Sequence, residues 1–491
     1  MPDLQEVFVT VGIPRYTFVQ PQEYPQLLLD LRTPGKGIVI EGPSGIGKTT
    51  AVQQAIHETQ GGKQILVLSA RKPEDIQMIE QLPSLLPFGI VVVDDFHRLS
   101  RPQQQIIADL LKYLADSGAK DSKLIIIGIN QAGKKLIEFG FDLATRISII
   151  EFECNPREKV LELVTKGEQA LNVEIGCRDA IIDASLGSFY MAQELCRHAC
   201  LMSDVLYTKQ EKEQIVVGGV EVINHLFKIL DQKYHSMIVR FATGPRFRRE
   251  GRAPYYHIAK WFGEENKLVI NLPQMMNKHP EQKPGVTQVL TKGYLDKILL
   301  SNQAFLSSFF LSGDLLIIQD PQLLFYLSNL DWEKLREEIG FLPFESNKEY
   351  DFALSFAGEK RDIAEAIYSK LTDCEISTFY DFDHASEMLA EDVGQYLAPI
   401  YASNAQFIVC ILSANYPKKV WTAFEAENYA PRIGKSEVIP IVLHDFTISP
   451  TDPLYRRGRI DFNENIDFEE EIERIVNLLR GKLASARQTD I

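Results

Sequence analysis

A chain of 491 residues is long enough for about three domains, each with its own core. Its 45% apolar and 24% charged residues are ordinary for a soluble globular protein, its six cysteines form no close C-x-x-C pairs, and its longest apolar runs are far too short to span a bilayer. These features exclude a disulfide framework and a membrane span, the N-terminus carries no secretory pattern, and a net charge of −15 disfavours generic adhesion to nucleic acid, so a cytoplasmic protein is expected.

Residues 1–36 read as a lead-in with Val11-Gly12-Ile13-Pro14 and a short helix near Tyr24–Leu31, with no assigned role. The apolar run Gly37 to Ile40 then leads into Gly42-Pro43-Ser44-Gly45-Ile46-Gly47-Lys48-Thr49, and Thr50 opens a helical stretch. A G-x-x-x-x-G-K-T pattern between strand and helix is a phosphate loop. Its backbone N–H groups cradle phosphate, Lys48 reaches the outer phosphates, and Thr49 offers a hydroxyl to Mg²⁺. Further strands are expected at Gln64–Ser69, Gly89–Asp94, Lys123–Gly128 and Ile147–Glu153. That alternation with helices predicts a parallel sheet covered on both faces, an ATPase core spanning 37–155.

The third strand ends in Asp94-Asp95. A carboxylate here holds the Mg²⁺ shell, so Asp94 is assigned to the metal with Thr49, and Asp95 to the attacking water; its short arm implies slow hydrolysis. Asn130, after the fourth strand, and Arg146, ahead of the fifth, are candidate contacts to the terminal phosphate, in the same or a neighbouring subunit. For Arg146 a surface ion pair is an equal alternative.

In order and spacing, Gly42 to Thr49, Val91 to Asp95, Asn130 and Arg146 resemble the AAA+-related STAND class of signal-transduction ATPases. The resemblance implies ATP or ADP with Mg²⁺ as ligands, a helical lid over 156–252, and a homo-oligomer on activation. Gly187-Ser188-Phe189 stands where many such proteins carry Gly-x-Pro, and the missing proline puts that contact in doubt. Cys177, Cys196, His198 and Cys200 read as buried structural side chains rather than a metal site.

Helical runs at Tyr255–Phe262, Leu272–Lys278 and Thr287–Leu300, followed by a hairpin-like Phe309 to Pro321, predict a winged helix over 253–342. The basic cluster Arg246 to Arg252 before it reads by default as a solvated loop or subunit contact; DNA binding is the alternative.

A second alternating pattern covers 348–485 without a phosphate loop and predicts a flavodoxin-like sheet. Tyr350-Asp351-Phe352-Ala353-Leu354-Ser355-Phe356-Ala357, Phe379-Tyr380-Asp381, Ser413-Ala414-Asn415-Tyr416 and Trp421-x-x-x-Glu425 together resemble a bacterial-type TIR domain. That resemblance implies NAD⁺ as substrate, cleaved between nicotinamide and ribose, with Glu425 catalytic. Phe356, Ala357, Asp383, Ser386 and Trp421 are candidates for the NAD⁺ pocket, His384 reads as a loop residue, and Glu427 should face elsewhere.

The expected whole is an α/β multidomain chain: a P-loop NTPase parallel sheet with a helical lid, a winged helix, and a C-terminal flavodoxin-like TIR domain. The resemblance implies a nucleotide-gated, oligomerisation-activated NAD⁺ hydrolase of prokaryotic immunity, acting against phage by NAD⁺ depletion and giving ADP-ribose or a cyclic variant. No internal repeat follows the winged helix where many STAND receptors carry a sensor array, so either the lead-in and winged helix or a separate partner senses the trigger. A non-catalytic TIR scaffold and a DNA-binding ATPase resembling replication initiators are the alternatives.

Overall fold

The computed structural model describes residues 1–60, 65–129, 132–245, 252–341, 348–374, 376–382, 392–418 and 420–489. It divides into two compact units, one of residues 1–234, 265–269 and 317–329, the other of 235–264, 270–316 and 330–491.

The first unit is built on β1 (Gly37–Glu41), β2 (Ile65–Ser69), β3 (Gly89–Asp94), β4 (Ser122–Ile127) and β5 (Ile147–Glu151). They run parallel in the order β2-β3-β4-β1-β5. Side-chain alternation divides the sheet into two cores. Val39, Val91, Val93, Leu124 and Ile126 pack on the helix Arg101–Asp116 through Ile107 and Leu111. Ile38, Ile40, Val92, Ile125 and Ile127 pack on the helices Tyr24–Arg32 and Lys48–Gln60. Every β1 residue is buried, which fixes the strand that delivers the phosphate loop. Two short strands, β6 (Val173–Ile175) and β7 (Glu213–Ile215), pair within the helix-rich stretch that follows.

Helix Pro254–Glu265 precedes β8 (Val269–Asn271), and helices Leu272–Lys278, Lys283–Thr291 and Tyr294–Leu300 separate it from β9 (Phe309–Ser312) and β10 (Leu315–Ile318); the three strands form a sheet in the order β8-β10-β9. The single helix expected at Thr287–Leu300 is broken at Gly293, whose φ of 64° lies in the left-handed region that ends helices.

The remaining strands, β11 (Tyr350–Phe356), β12 (Thr378–Phe379), β13 (Ala405–Leu412), β14 (Val438–Val442) and β15 (Ile460–Asp461), run parallel in the order β12-β11-β13-β14-β15. Numbered from the first, that is the 2-1-3-4-5 order of a flavodoxin-like sheet. Phe352, Leu354 and Phe356 bury against the helices Arg361–Asp373 and Phe468–Thr489. Alternation therefore turns Ala353 and Ser355 to the other face, under the helix Val420–Ile433. No helix among the described residues is long and apolar enough to cross a membrane.

Candidate functional sites

A cavity of about 410 Å³ opens at the carboxyl end of the first sheet, lined by Ser44, Gly45, Gly47, Lys48, Thr49, Thr50, Asp94 and Asp95 among others. Gly42 and Pro43 serve it through their carbonyls, which accept from Lys48 Nζ at 2.8 and 2.5 Å. Ile46 turns its side chain into the core. Burial pulls the Lys48 ammonium down to about 8, although Asp94 and Asp95 oppose the shift.

Thr49 Oγ1 donates to Asp94 Oδ2 at 3.1 Å, so the hydroxyl and carboxylate assigned to Mg²⁺ lie side by side. Burial and the neighbouring Asp95 push the Asp94 carboxyl upward, an environment that an arriving cation relieves; the residues present fit a bound Mg²⁺. Asp95 stands at φ 58° with both oxygens held by Arg71, Nε to Oδ2 at 2.7 Å and Nη2 to Oδ1 at 2.9 Å, and Ser69 Oγ adds a third bond. Burial alone would raise this carboxyl, but the Arg71 bonds and charge outweigh it and hold it below the ordinary range. Burial draws the neighbouring His97 imidazole down to about 4.

The helix-rich stretch after β5 touches the loop without the missing proline. Ser188 Oγ and the Tyr190 N–H both donate to Gly45 O, and Asn155 Nδ2 bridges Ile46 O and Gly187 O. Phe189, Tyr190 and Gln193 line the cavity. Arg146 is not brought to it: the side chain pairs with Asp116 at 2.8 Å and Asp142 at 3.0 Å, the surface ion pair weighed from sequence. Asn130 lies outside the described residues.

Sequence reading missed two contributors here. Residues of the lead-in, including Thr17, Phe18 and Val19, form one wall of the cavity, tied to the helix Phe189–Met202 where Gln193 Oε1 accepts from Val9 N and Thr17 Oγ1. The available signal was an apolar segment with no partner of its own just ahead of β1. Arg71, in the turn two residues past β2 and just ahead of the helix Pro73–Gln81, carried no signal of its own.

The second site gathers at the carboxyl end of β11. Glu425 is 8% exposed, and its Oε2 accepts a short hydrogen bond from Ser355 Oγ. Burial pushes its carboxyl up to about 8; the Ser355 bond opposes this, the charge of Asp381 adds to it, and Tyr401 opposes it. Arg432 holds this corner together. Its guanidinium donates to Tyr401 O, Ala405 O and Gln406 O at 2.7 to 3.0 Å, satisfying carbonyls of the irregular turn 400–404 and of the start of β13. Tyr401 Oη in turn donates to Leu354 O at 2.8 Å.

Phe356 is buried and stacks on Tyr380 at 5.8 Å, and the Arg361 guanidinium lies 5.4 to 5.9 Å from the rings of Phe356, Tyr380 and Phe382, paired to Asp381 at 3.5 Å. Ala357 is buried at the start of the turn that leads to Arg361. Trp421 belongs to the Glu425 helix one turn earlier; its side chain, Asp383, His384 and Ser386 lie outside the described residues. Glu427 is exposed on the far side of that helix. Ser355, Tyr401 and Arg361 were missed from sequence, although the alternation of β11 already set Ser355 opposite Phe356.

A family model described as "ATPase family associated with various cellular activities (AAA)" matches residues 38–139, and one described as a TIR domain matches residues 352–476. A relative from Aquimarina amphilecti, named 3' cyclic ADP-D-ribose synthase AaTIR, is 38% identical over 84 residues, 17% of this chain and 26% of that protein's own length. Among solved structures, the Aeropyrum pernix ORC2 protein aligns over 68% of this chain and 96% of its own at 14% identity, with a TM-score of 0.36. The Thermotoga maritima RuvB Holliday junction branch migration motor aligns over 67% and 100% at 16% identity, with a TM-score of 0.35. The chain carries an ATPase domain of the AAA family and, following it, a TIR domain.

Proposed function

We propose that this protein cleaves NAD⁺ between nicotinamide and ribose in its TIR domain, with Glu425 as the catalytic carboxylate. In this reading the ATPase domain, under a lid formed by residues 156–252, is a nucleotide-gated switch that assembles copies of the chain in defence against phage. The observation that carries the reading is the buried Glu425 carboxyl at the carboxyl edge of β11, gripped by Ser355. The relative named for cyclic ADP-ribose synthesis supports the choice of substrate.

Nicotinamide leaves a cationic ring as a neutral molecule, so departure needs no acid. Positive charge develops on the ribose instead, and a carboxylate beside it stabilises that charge. Only the ionised form of Glu425 does this, and its carboxyl sits near 8, so ionisation precedes cleavage and activity rises with pH. The aromatic surface of Phe356, Tyr380 and Phe382 already holds one planar cation, the Arg361 guanidinium. The pyridinium ring of NAD⁺ is another, and fits the same kind of surface. Water reaching the ribose C1′ gives ADP-ribose; a hydroxyl of the same molecule gives a cyclic product.

At the first site, Lys48 and the loop N–H groups bind the phosphates of ATP or ADP, while Thr49 and Asp94 hold Mg²⁺, which neutralises phosphate charge when bound. The reading is tested by incubating the purified full chain with NAD⁺, with and without ATP and Mg²⁺, and following free nicotinamide. Release that depends on nucleotide and disappears in Glu425→Gln supports it; equal release by Glu425→Gln overturns it.

A further inference from the structure

Glu425 is the end of a buried line of hydroxyls. Tyr429 Oη and Tyr416 Oη lie 3.0 Å apart, Tyr416 Oη and Ser355 Oγ lie 2.5 Å apart, and Ser355 Oγ donates to Glu425 Oε2. Ser355, Tyr429 and Tyr416 are exposed by 0%, 2% and 5%. They come from three places: Ser355 from β11, Tyr416 from the turn after β13, and Tyr429 from the Glu425 helix, one turn on. Thr422 Oγ1 pins the turn by donating to Tyr416 O.

The proton order follows from donor counting. A hydroxyl has one proton to give, and an ionised carboxylate only accepts. With its proton committed to Glu425, Ser355 Oγ accepts from Tyr416, whose oxygen then accepts from Tyr429. All three O–H bonds point toward Glu425 Oε2. In a low-dielectric interior such a line is cooperative, each bond polarising the next.

We propose that Ser355 and Tyr416 are positioning residues for Glu425, a relayed donor line that fixes the carboxylate in one orientation and keeps it ionisable despite burial. The proposal rests on the NAD⁺-cleaving reading for its purpose. The other groups facing Glu425 are Asp381, beyond β12, whose charge opposes ionisation, and Tyr401, from the turn before β13, which favours it; Asp381 is itself paired to Arg361. Neither belongs to the line, so removing its hydroxyls leaves both in place.

The test is a titration of Glu425 in the full chain. The carbonyl-stretch band of its neutral carboxyl is followed by infrared difference spectroscopy, assigned by its loss in Glu425→Gln, beside the pH profile of nicotinamide release. Ser355→Ala removes a charge-assisted hydrogen bond and is expected to move both midpoints up by about one pH unit or more. Tyr416→Phe keeps the ring, leaves Ser355 as donor, and is expected to give a smaller upward shift.

Unmoved midpoints in both folded variants overturn the proposal, because residues that only fill space would leave the titration alone. Should Ser355→Ala not fold, Tyr416→Phe decides by itself. If the Glu425 titration shifts in these variants but the assembled wild-type protein releases no nicotinamide, the NAD⁺ reading is overturned, and with it the catalytic purpose assigned to the line. Nicotinamide release with an unmoved titration overturns the line and leaves the NAD⁺ reading intact.

Discussion

Arg252 and Asp351 form an ion pair, Nη2 to Oδ1 at 2.9 Å and Nε to Oδ2 at 3.0 Å, with side chains 3% and 0% exposed. Asp351 opens the TIR sheet as the second residue of β11 and also accepts from Ser377 N, while Arg252 precedes the helix Pro254–Glu265. A buried pair of this kind is held together by geometry; losing one member strands the other charge. Arg252→Met is expected to destabilise the second unit by about 3–5 kcal/mol, measured as a lowered urea midpoint. Adding Asp351→Asn, which keeps an acceptor for Ser377, recovers part of the loss. A cost under about 1 kcal/mol, the range of exposed pairs, would contradict the burial argument.

Burial of Glu425 makes stability depend on pH. Its carboxyl stands near 8 in the folded protein against an ordinary value of 4.5, so between those values the folded state holds a proton the unfolded state has lost. Stability from this group is therefore complete below about 4.5 and falls as pH rises toward 8. Glu425→Gln removes the slope, so the variant should melt higher than wild type at pH 7.5 and equally at pH 4.5. A melting difference that does not change with pH would refute the buried, neutral carboxyl.

Lys48 makes nucleotide affinity fall in alkali. Its ammonium stands near 8 in this arrangement, and phosphate binds only the charged form, so the dissociation constant for ATP should rise about tenfold per pH unit above that value. Lys48→Ala should bind weakly with no such slope. Calorimetric titration between pH 7 and 9.5 checks both.

Arg71 restrains Asp95. With both carboxylate oxygens engaged, Asp95 does not orient water well, and Arg71→Ala is expected to raise ATP turnover about tenfold, equal to some 1.4 kcal/mol of barrier. ADP affinity should be unchanged. A fall in turnover would assign Arg71 to the phosphates instead.

The strands and the phosphate loop were legible because their signals are local. Buried parallel strands are continuous apolar runs, and β1 to β5 fall within two residues of their expected limits. Apart from the helix broken at Gly293, what the sequence left open concerns arginines. Arg252 sits in a cluster that reads as solvated yet is 5% exposed, and Arg146 pairs with Asp116 thirty residues back. Which carboxylate an arginine meets is set by how distant segments approach, and no periodicity encodes that. Ser355 shows the same limit: alternation fixes its face, but its bond to Glu425, seventy residues on, needs β11 and the Val420–Ile433 helix assembled.

The most direct test is the rate of nicotinamide release from NAD⁺ by the full chain displayed at high density on a multivalent scaffold, wild type beside Glu425→Gln. The expected result is sustained release by wild type, faster at pH 8.5 than at pH 6.5, and none above background by the variant. Folded, densely displayed wild type that leaves NAD⁺ intact, or a variant that cleaves it equally well, would contradict the assignment of Glu425.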